Sequence, residues 1–391
     1  MSPSRPSPLA GIRVLDLTRV LPGPFASMML ADLGAEVIKL EHPKGGDLER
    51  SSAPPGPDGQ AYRFGMLNRN KKSIAIDLKS AEGRAVVQDL AQHVDVVMEG
   101  FRPGVVNGLG IGPSALRTMN PRLVYVSISG YGQTGPYAEL PGHDINYMAM
   151  SGLLRYFGGD HAPSIPWLPI ADIGGGATMA VSGILAALLG RERTGLGDYL
   201  DLGMAEGALY WQQTRAQWFL ATGTDPMPGA LPVTGALPGY GVYQTLDGGW
   251  LSLGCMEPIF WERLCLLLDM PDAIAQQHDP GAAESLDLAL RKILATRSRD
   301  HWFADMQAAG VPAAPCYSIA EALEDEHFVA RGRVGFAGPH DRVRSPFHFA
   351  DAPRIATAPA PRLGADTEQV LSEAGIEADR IEALRSAGVI R

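Results

Sequence analysis

Four ionisable side chains lie beside apolar or glycine-rich stretches, where they could act on a bound ligand. His143 and Asp144 stand side by side in PGHDINYMAMSG, directly before an apolar run. Asp172 precedes three glycines in LPIADIGGGATMA, and Glu257 follows the strand-like segment WLSLGC. Histidine and the carboxylic acids are common general acids and bases in enzymes, because they can give up and take back a proton. The pattern indicates proton transfer, provided that the chain brings these groups together.

Each of these residues also has a structural explanation. Asp172 is suited to cap the apolar helix that follows it, and Asp144 is suited to cap the NYMAMSG helix. Glu257 fits a first helical turn, where the helix dipole favours a carboxylate. His143 fits a buried histidine whose hydrogen bonds are satisfied. Taken one at a time, the residues favour these structural roles, and catalysis requires a feature that joins them.

A second group of residues is cationic. Arg69, Lys71 and Lys72 fall in LNRNKKSIAIDL, directly before a predicted strand, and Arg102 follows the strand DVVMEG. Such a run is often a solvated turn. In a chain of net charge −10, however, clustered cations also predict a ligand that carries phosphate groups, which guanidinium and ammonium groups bind through charge-assisted hydrogen bonds.

Short apolar runs alternate with helical patterns through the first half of the chain. PFASMMLADLG, between the first two runs, and AEGRAVVQDLAQH, between the third and fourth, have helical spacing. This alternation predicts an α/β fold with a doubly wound, mostly parallel, Rossmann-like sheet. The predicted strands are IRVLDL (12–17), EVIKLE (36–41), SIAIDL (73–78), DVVMEG (95–100), LVYVSISG (123–130) and, later, YLDLGM.

The remaining chain predicts a second domain and a returning segment. We expect a large domain over 1–205, a glycine- and proline-rich linker over 206–241, and a smaller α+β domain over 242–325 that opens with a β-hairpin. Residues 326–391 are expected to return to the large domain, with a helix after Asp366 in PRLGADTEQVLSEAGI.

Absent motifs exclude several chemistries. The first strand–helix junction, LTRVLPGPF, has no GxGxxG, and the chain has no Walker A, HExxH or GxSxG sequence. Nicotinamide, flavin, P-loop, zinc-hydrolase and serine-hydrolase mechanisms therefore lose their main support. The three cysteines form no CxxC pair, so we expect no metal and a reducing, cytoplasmic setting. The net negative charge argues against nucleic-acid binding, and the apolar pattern predicts neither a signal peptide nor a membrane span.

Six segments occur together in an order that is similar to the family III CoA-transferase superfamily. They are GIRVLDLTRVLPGPFASMMLADLGAEVIKLEHPKGGD, LNRNKKSIAIDL, EGFRPGVV, GHDINYMAMSG, RTGLGD and AGVPAAPC. The chain resembles this family along nearly its whole length. Within the family, GHDINYMAMSG, ADIGGG and CMEPIFW resemble the α-methylacyl-CoA racemase branch more than the transferases.

The resemblance implies a substrate and a division of roles. The substrate would be a 2-methyl-branched acyl-CoA, with CoA bound as part of the substrate and no other cofactor. His143 and Asp172 would face the two sides of its α-carbon, and Glu257 would orient His143. The backbone N–H of Asp144 would stabilise the enolate oxygen. The resemblance also implies an interlocked homodimer, in which Glu257 could come from the partner chain.

Two other functions stay open. In acyl-CoA:carboxylate CoA transfer, Asp172 would attack the thioester as a nucleophile, with no need for His143 or Glu257. Transferases of the family tend to carry a glycine-rich lid in the second domain, and no comparable run occurs between residues 242 and 325. A non-catalytic CoA-binding protein would keep the cations without the acid–base residues.

The chain departs from the family pattern at two CoA contacts. In EHPKGG, His42 or Lys44 must replace an arginine if a phosphate is bound there. Asn107 and Gly108 occupy a segment where relatives frequently carry an arginine. These differences affect the CoA contacts and leave the acid–base residues unchanged.

Overall fold

The computed structural model describes residues 5–56, 59–158, 162–225, 227, 229–335 and 343–391. The chain forms two compact units. The large unit contains Met1–Leu153, Pro166–Gln212 and Glu326–Arg391, and the small unit contains Leu154–Ile165 and Gln213–Asp325. The last segment of the large unit begins at Glu326. Residues 206–212, predicted as linker, belong to the large unit, while the rest of the predicted linker belongs to the small unit.

The large unit is built on a parallel sheet of six strands. Its order is β3-β2-β1-β4-β5-β6, which confirms the doubly wound α/β prediction. Strands β4 and β5 are buried at every position, as expected for a sheet covered by helices on both faces. The strands are β1 (Arg13–Asp16), β2 (Glu36–Glu41), β3 (Lys71–Ala75), β4 (Val96–Glu99), β5 (Val124–Ser129) and β6 (Tyr199–Gly203).

Helices connect these strands, and the two C-terminal helices complete the core. Val370 and Leu371 from the first of them, and Ile381 and Leu384 from the second, join the apolar cluster of the sheet. The helices are α1 (Pro22–Asp32), α2 (Tyr62–Leu67), α3 (Ala81–Ala91), α4 (Val105–Gly108), α5 (Pro113–Met119), α6 (Asp144–Met150), α7 (Met179–Thr194), α8 (Met204–Tyr210), α14 (Glu326–Ala330), α15 (Thr367–Glu373) and α16 (Ala378–Ser386).

Helix α7 continues a π-helical segment, Ala171–Thr178. The combined 24-residue helix is long and apolar enough to cross a membrane by length and composition. The sequence predicted an apolar helix here, but not a membrane span. It packs on α1, α8 and β5, as a core helix does. A Cβ atom on Gly175 would lie 2.6 Å from the carbonyl oxygen of Met204, so glycine permits this close contact with α8.

The small unit has an antiparallel sheet of order β7-β8-β9. The predicted hairpin is present as β7 (Tyr240–Gln244) and β8 (Trp250–Gly254). The third strand, β9 (Ala313–Pro315), has only three residues and was not predicted. Trp261, Leu290 and Trp302 lie in the apolar core of the small unit. Its helices are α9 (Gln213–Thr222), α10 (Pro258–Leu267), α11 (Ala283–Leu294), α12 (Arg299–Ala309) and α13 (Ile319–Glu324).

Candidate active site

A cavity of about 510 Å³ lies at the carboxyl ends of β1, β4 and β5. Strand order reverses between β1 and β4, because β2 follows β1 on one side and β5 follows β4 on the other. Open α/β sheets bind ligands at such a switch point. The lining residues are Thr18, Arg19, Pro22, Gly23, Gly100, Phe101, Arg102, Pro103, Ile128, Ser129, Gly130, Ala138, Glu139, Leu140, Pro141, Gly142, His143, Asn146, Tyr147 and Met204.

His143 lines this cavity from the N-terminal end of α6. It is the N-cap residue, in extended backbone conformation, and its backbone N–H donates to the Asn146 side chain at 3.0 Å. Tyr147 fixes the preceding turn by donating from its hydroxyl to the carbonyl oxygen of Gly142 at 2.6 Å. The exposed imidazole therefore sits on a well-anchored helix end beside the cavity.

Asp144 links His143 to Asp172. The Asp144 Oδ1 atom accepts a hydrogen bond of 2.9 Å from the backbone N–H of Asp172. A second one comes from the backbone N–H of Ala171. These two amides begin the π-helical segment, where no intrahelical acceptor is available to them. One carboxylate on α6 thus joins the helix end that carries His143 to the helix start that carries Asp172.

This arrangement changes the acidity of Asp172. Burial, and then the neighbouring Asp144 carboxylate, raise its pKa to about 7, because both disfavour a negative charge. Burial also raises the pKa of Asp144, although its hydrogen bonds from Asp172 and Ala171 oppose the shift. Within the described residues, no Lys, Arg or His side chain forms an ion pair with Asp172. A carboxyl group in such a setting takes up or releases a proton near neutral pH.

The capping roles considered from the sequence need correction. The N-cap of α6 is His143 and not Asp144. Asp172 lies inside the first turn of its helix, whose N-cap is Ile170. The helix begins three residues before Gly174, since the glycines are part of it. Asp144 does cap a helix end, but that end belongs to the Asp172 segment.

Glu257 is the N-cap residue of α10 in the small unit, where its exposed side chain does not bond to the helix. From the sequence, Glu257 was expected in the first turn of the helix. In the structure that turn begins one residue later, at Pro258. A hydrogen bond that the His143 imidazole donates to the Glu257 carboxylate stays a prediction.

The cations Arg69, Lys71 and Lys72 do not gather at the cavity. Strand β3 begins at Lys71, two residues earlier than predicted, so both lysines are strand residues near its amino end. Arg69 pairs with Asp32, and Lys72 pairs with Glu36 and Glu373. A phosphate-binding role for these two cations would require those contacts to break.

Lys71 is enclosed in the protein. Its fully buried ammonium group donates to Ser27 Oγ at 2.7 Å, Asn68 Oδ1 at 2.9 Å and Asp16 Oδ2 at 3.3 Å. The prediction that it contacts a ligand is corrected by this geometry, because its hydrogen bonds are already made inside the core.

Two of the other predicted binding residues lie at the carboxyl edge of the sheet. Arg102 is exposed and lines the cavity after β4. His42, after β2, accepts at Nδ1 from the backbone N–H of Lys44, and its Nε2 atom is 3.8 Å from Asp77. Arg19 was not predicted, although its guanidinium group lies 5.1 Å from the Phe101 ring and lines the same cavity. Its position after β1, at the switch point, was the available signal.

A parallel sheet with two arginines in a cavity at its switch point is an α/β fold of the kind that binds ligands at this edge, and His143 lines that cavity while Asp172 does not. The chain belongs to CoA-transferase family III, whose sequence model matches residues 9–367. Among solved structures, a CaiB/BaiF family protein from Brucella suis has a TM-score of 0.85 at 31% identity and covers 95% of this chain and 100% of that one.

Relatives with two different reactions are about equally similar to the chain. The α-methylacyl-CoA racemase of Homo sapiens is 32% identical, over 98% of this chain and 97% of the relative. The succinate–glutarate CoA-transferase of Agrobacterium fabrum is 36% identical, over 95% of this chain and 96% of the relative. Overall sequence similarity therefore shows the family but does not distinguish racemisation from CoA transfer. That distinction depends on the residues of the site.

Proposed function

We propose that this protein is a racemase that inverts the α-carbon of 2-methyl-branched acyl-CoA thioesters. The observation that carries the proposal is the hydrogen bond between Asp144 Oδ1 and the backbone N–H of Asp172. It ties His143 and Asp172 to adjoining helix ends, and it brings the Asp144 charge next to the Asp172 carboxyl group. Two proton-transfer groups on separate elements are what a two-base inversion requires.

In the proposed mechanism, one of the two groups removes the α-proton of the bound thioester. The electron pair of the C–H bond moves into the enolate, whose charge lies on the thioester oxygen. The other group then gives its proton to the opposite face of the same carbon. The two groups exchange roles when the other enantiomer is the substrate. A pKa of about 7 for Asp172 suits this exchange, since both protonation states are populated at neutral pH.

The enolate oxygen needs a hydrogen-bond donor, and we assign this role to the backbone N–H of Asp144. It lies in the first turn of α6, where an amide has no acceptor within its own helix. One such donor contributes about 10²- to 10³-fold to the rate. Arg19 and Arg102, on the cavity wall, are suited to the phosphate groups of CoA. The proposed chemistry needs only the substrate's own CoA.

The test is deuterium incorporation from heavy water into the α-position of a medium-chain 2-methylacyl-CoA. We expect exchange by the parent protein and a loss of about 10²-fold or more in His143→Ala and in Asp172→Asn. Asp198→Asn, which removes an exposed carboxylate after α7, is the matched control and should exchange like the parent. A parent protein without exchange above the buffer rate would end the racemase proposal.

CoA transfer is the second candidate, because a CoA-transferase relative is as similar as the racemase. In that reaction, Asp172 attacks the thioester carbonyl and expels CoA thiolate, which forms an acyl anhydride on the enzyme. The thiolate then attacks the Asp172 carbonyl, which breaks the anhydride bond, releases the acyl group as its carboxylate and leaves an aspartyl-CoA thioester. The acceptor carboxylate takes the CoA by the same two steps in reverse, which restores Asp172. Hydroxylamine trapping of Asp172 with acyl-CoA, together with acyl-CoA-to-succinate transfer that survives His143→Ala, would favour this reaction over racemisation.

A homodimer is part of the racemase proposal, with Glu257 supplied to His143 by the partner chain. Co-expression of His143→Ala with Glu257→Ala tests it. About half of the dimers are mixed if the chains pair at random, and one of their two sites then has both residues intact. We expect recovery to about a quarter of parent exchange on this model. If Glu257 served its own chain, mixed dimers would be as inactive as either variant alone.

A further inference from the structure

Val20 has an unusual backbone conformation at the edge of the cavity. Its φ angle is 69°, in the left-handed region that a β-branched residue rarely enters because its side chain crowds the backbone. Val20 lies in the loop between β1 and α1, whose neighbours Thr18, Arg19, Pro22 and Gly23 line the cavity. A conformation of this kind persists only where the surroundings hold it.

Asp16 and Lys71 hold the start of this loop. The Asp16 carboxylate accepts hydrogen bonds from the backbone N–H and the hydroxyl of Thr18, and on its other oxygen from Ser27 and Lys71. Neither charged side chain of the pair is exposed. Burial alone would raise the pKa of Asp16, yet Lys71 and Lys39 together with the hydroxyl groups hold it below its ordinary value.

Lys39 and Asp47 hold the middle of the loop. The Lys39 ammonium group donates to the carbonyl oxygen of Thr18 at 3.1 Å and forms an ion pair of 2.8 Å with Asp47, also without exposure. Asp47 Oδ1 in turn accepts from the backbone N–H of Val20 at 3.3 Å. Backbone groups on both sides of Arg19 are therefore held by charges beneath the loop, and none of the four charged residues lines the cavity.

We infer that Asp16, Lys39, Asp47 and Lys71 are positioning residues that hold the Thr18–Leu21 loop with Val20 in its left-handed conformation and so set the affinity for CoA. This inference rests on the proposed use of the cavity for a CoA thioester, but it does not depend on whether the reaction is racemisation or transfer. A loop that is already in its binding conformation loses less freedom when the ligand binds.

The test removes one buried ion pair as a unit. Lys39→Met/Asp47→Leu removes both charges of the pair. Neither partner is then left as an unpaired buried charge, so we expect the protein to fold. The binding of CoA alone is measured by calorimetry. We expect the Kd for CoA to rise about tenfold, as it does when the binding-competent loop falls to about a tenth of the population, while thermal unfolding stays close to that of the parent. Lys39→Met/Asp47→Asn, which changes shape less, should move the Kd in the same direction.

Val20→Gly separates positioning from general damage. Glycine adopts a φ of 69° without steric cost. When Val20→Gly is added to the double variant, the Kd for CoA should therefore fall at least about threefold from the value for the double variant. Arg191→Met/Asp95→Leu is the control. It removes a different ion pair, which is partly buried and lies outside the cavity lining, and it should leave the Kd unchanged.

A folded double variant that binds CoA like the parent would overturn the inference, and so would a weakened variant that Val20→Gly does not improve. CoA binding involves no chemistry. A failed deuterium-exchange experiment would therefore count against the racemase proposal alone, and a failed binding experiment would count against the positioning network alone.

Discussion

At the scale of single residues, Asp144 has the most consequential position, although it does not line the cavity. Its carboxylate satisfies two backbone amides that a helix start would otherwise leave without acceptors. The same charge lies close enough to Asp172 to oppose its ionisation. A structural role and an electrostatic role thus coincide in one side chain, which explains why the capping interpretation and the catalytic interpretation were hard to separate in the sequence.

Asp144→Asn separates the two roles, because the amide oxygen still accepts from the Asp172 N–H while the charge is removed. We expect the pKa of Asp172 to fall from about 7 toward its ordinary value, but not to reach it, since burial remains. In the direction where Asp172 removes the proton, activity rises with pH through this pKa. The rise should therefore occur at lower pH in the variant.

The measurement is the pH profile of kcat/KM for deuterium exchange, which reports groups of the free enzyme. Asp198→Asn serves again as the charge-removal control and should keep the parent profile. An Asp144→Asn profile with an unmoved midpoint would show that the Asp144 charge does not act on the titrating group.

At the scale of elements, the π-helical segment that carries Asp172 is held by close backbone packing. Gly175 and Gly207 face each other across the contact with α8. A Cβ atom on Gly207 would lie 2.1 Å from the carbonyl oxygen of Gly175, and one on Gly175 would lie 2.7 Å from the backbone nitrogen of Ala208. Real Cβ atoms do not approach backbone atoms this closely, so the two segments would have to separate.

Gly175→Ala should therefore be destabilising by about 1–3 kcal/mol, as overpacked sites are, and should lower exchange activity by shifting Asp172. Gly190→Ala is the matched control, because Gly190 lies in the same continuous helix with no atom near its missing Cβ. That variant should be stabilised by about 0.5–1 kcal/mol. Chemical denaturation and exchange assays on both variants give the comparison. Similar stability and activity in the two would contradict tight packing at Gly175.

Elements that were predicted from the sequence have strong local signals, and those that were missed do not. The six parallel strands were found because glycine and charge punctuate buried apolar runs. The start of β3 was misplaced because Lys71 and Lys72 are polar in sequence but paired in the fold. Helix α9 was assigned to a linker because it buries none of its side chains, so it shows no apolar period.

The site was predicted in part for a similar reason. His143, Asp144 and Asp172 stand out as polar residues beside apolar runs, whereas the hydrogen bond that joins two of them spans 28 residues and leaves no trace in local sequence. The buried partners of Lys71 are long-range as well. Asp16 lies 55 residues away from it, so a run of cations in sequence did not reveal how each one is neutralised.

At the scale of the whole molecule, the large unit is assembled from distant parts of the chain. The C-terminal segment returns to β3, where the backbone N–H of Ser73 donates to Asp366 at 2.8 Å and that of Ala75 donates to Thr367 at 3.1 Å. Asp366 is the N-cap residue of α15, where the sequence predicted a helix to begin, but its carboxylate bonds to the strand and not to the helix. An edge strand is thereby covered, which removes a site of unwanted pairing between molecules.

The apolar contacts between the C-terminal segment and the sheet can be tested at Leu371, which is fully buried in α15. Leu371→Ala should cost about 2–5 kcal/mol, because it leaves a cavity in the core that the tail shares with the sheet. Glu368→Ala, on the exposed side of the same helix, should cost at most about 1 kcal/mol.

Hydrogen exchange followed by peptide mass spectrometry resolves the two units. Protection of β3 should fall in Leu371→Ala while protection of β8, in the separate core of the small unit, stays unchanged. An equal loss in both strands, or none in β3, would show that the tail does not stabilise the large unit in particular.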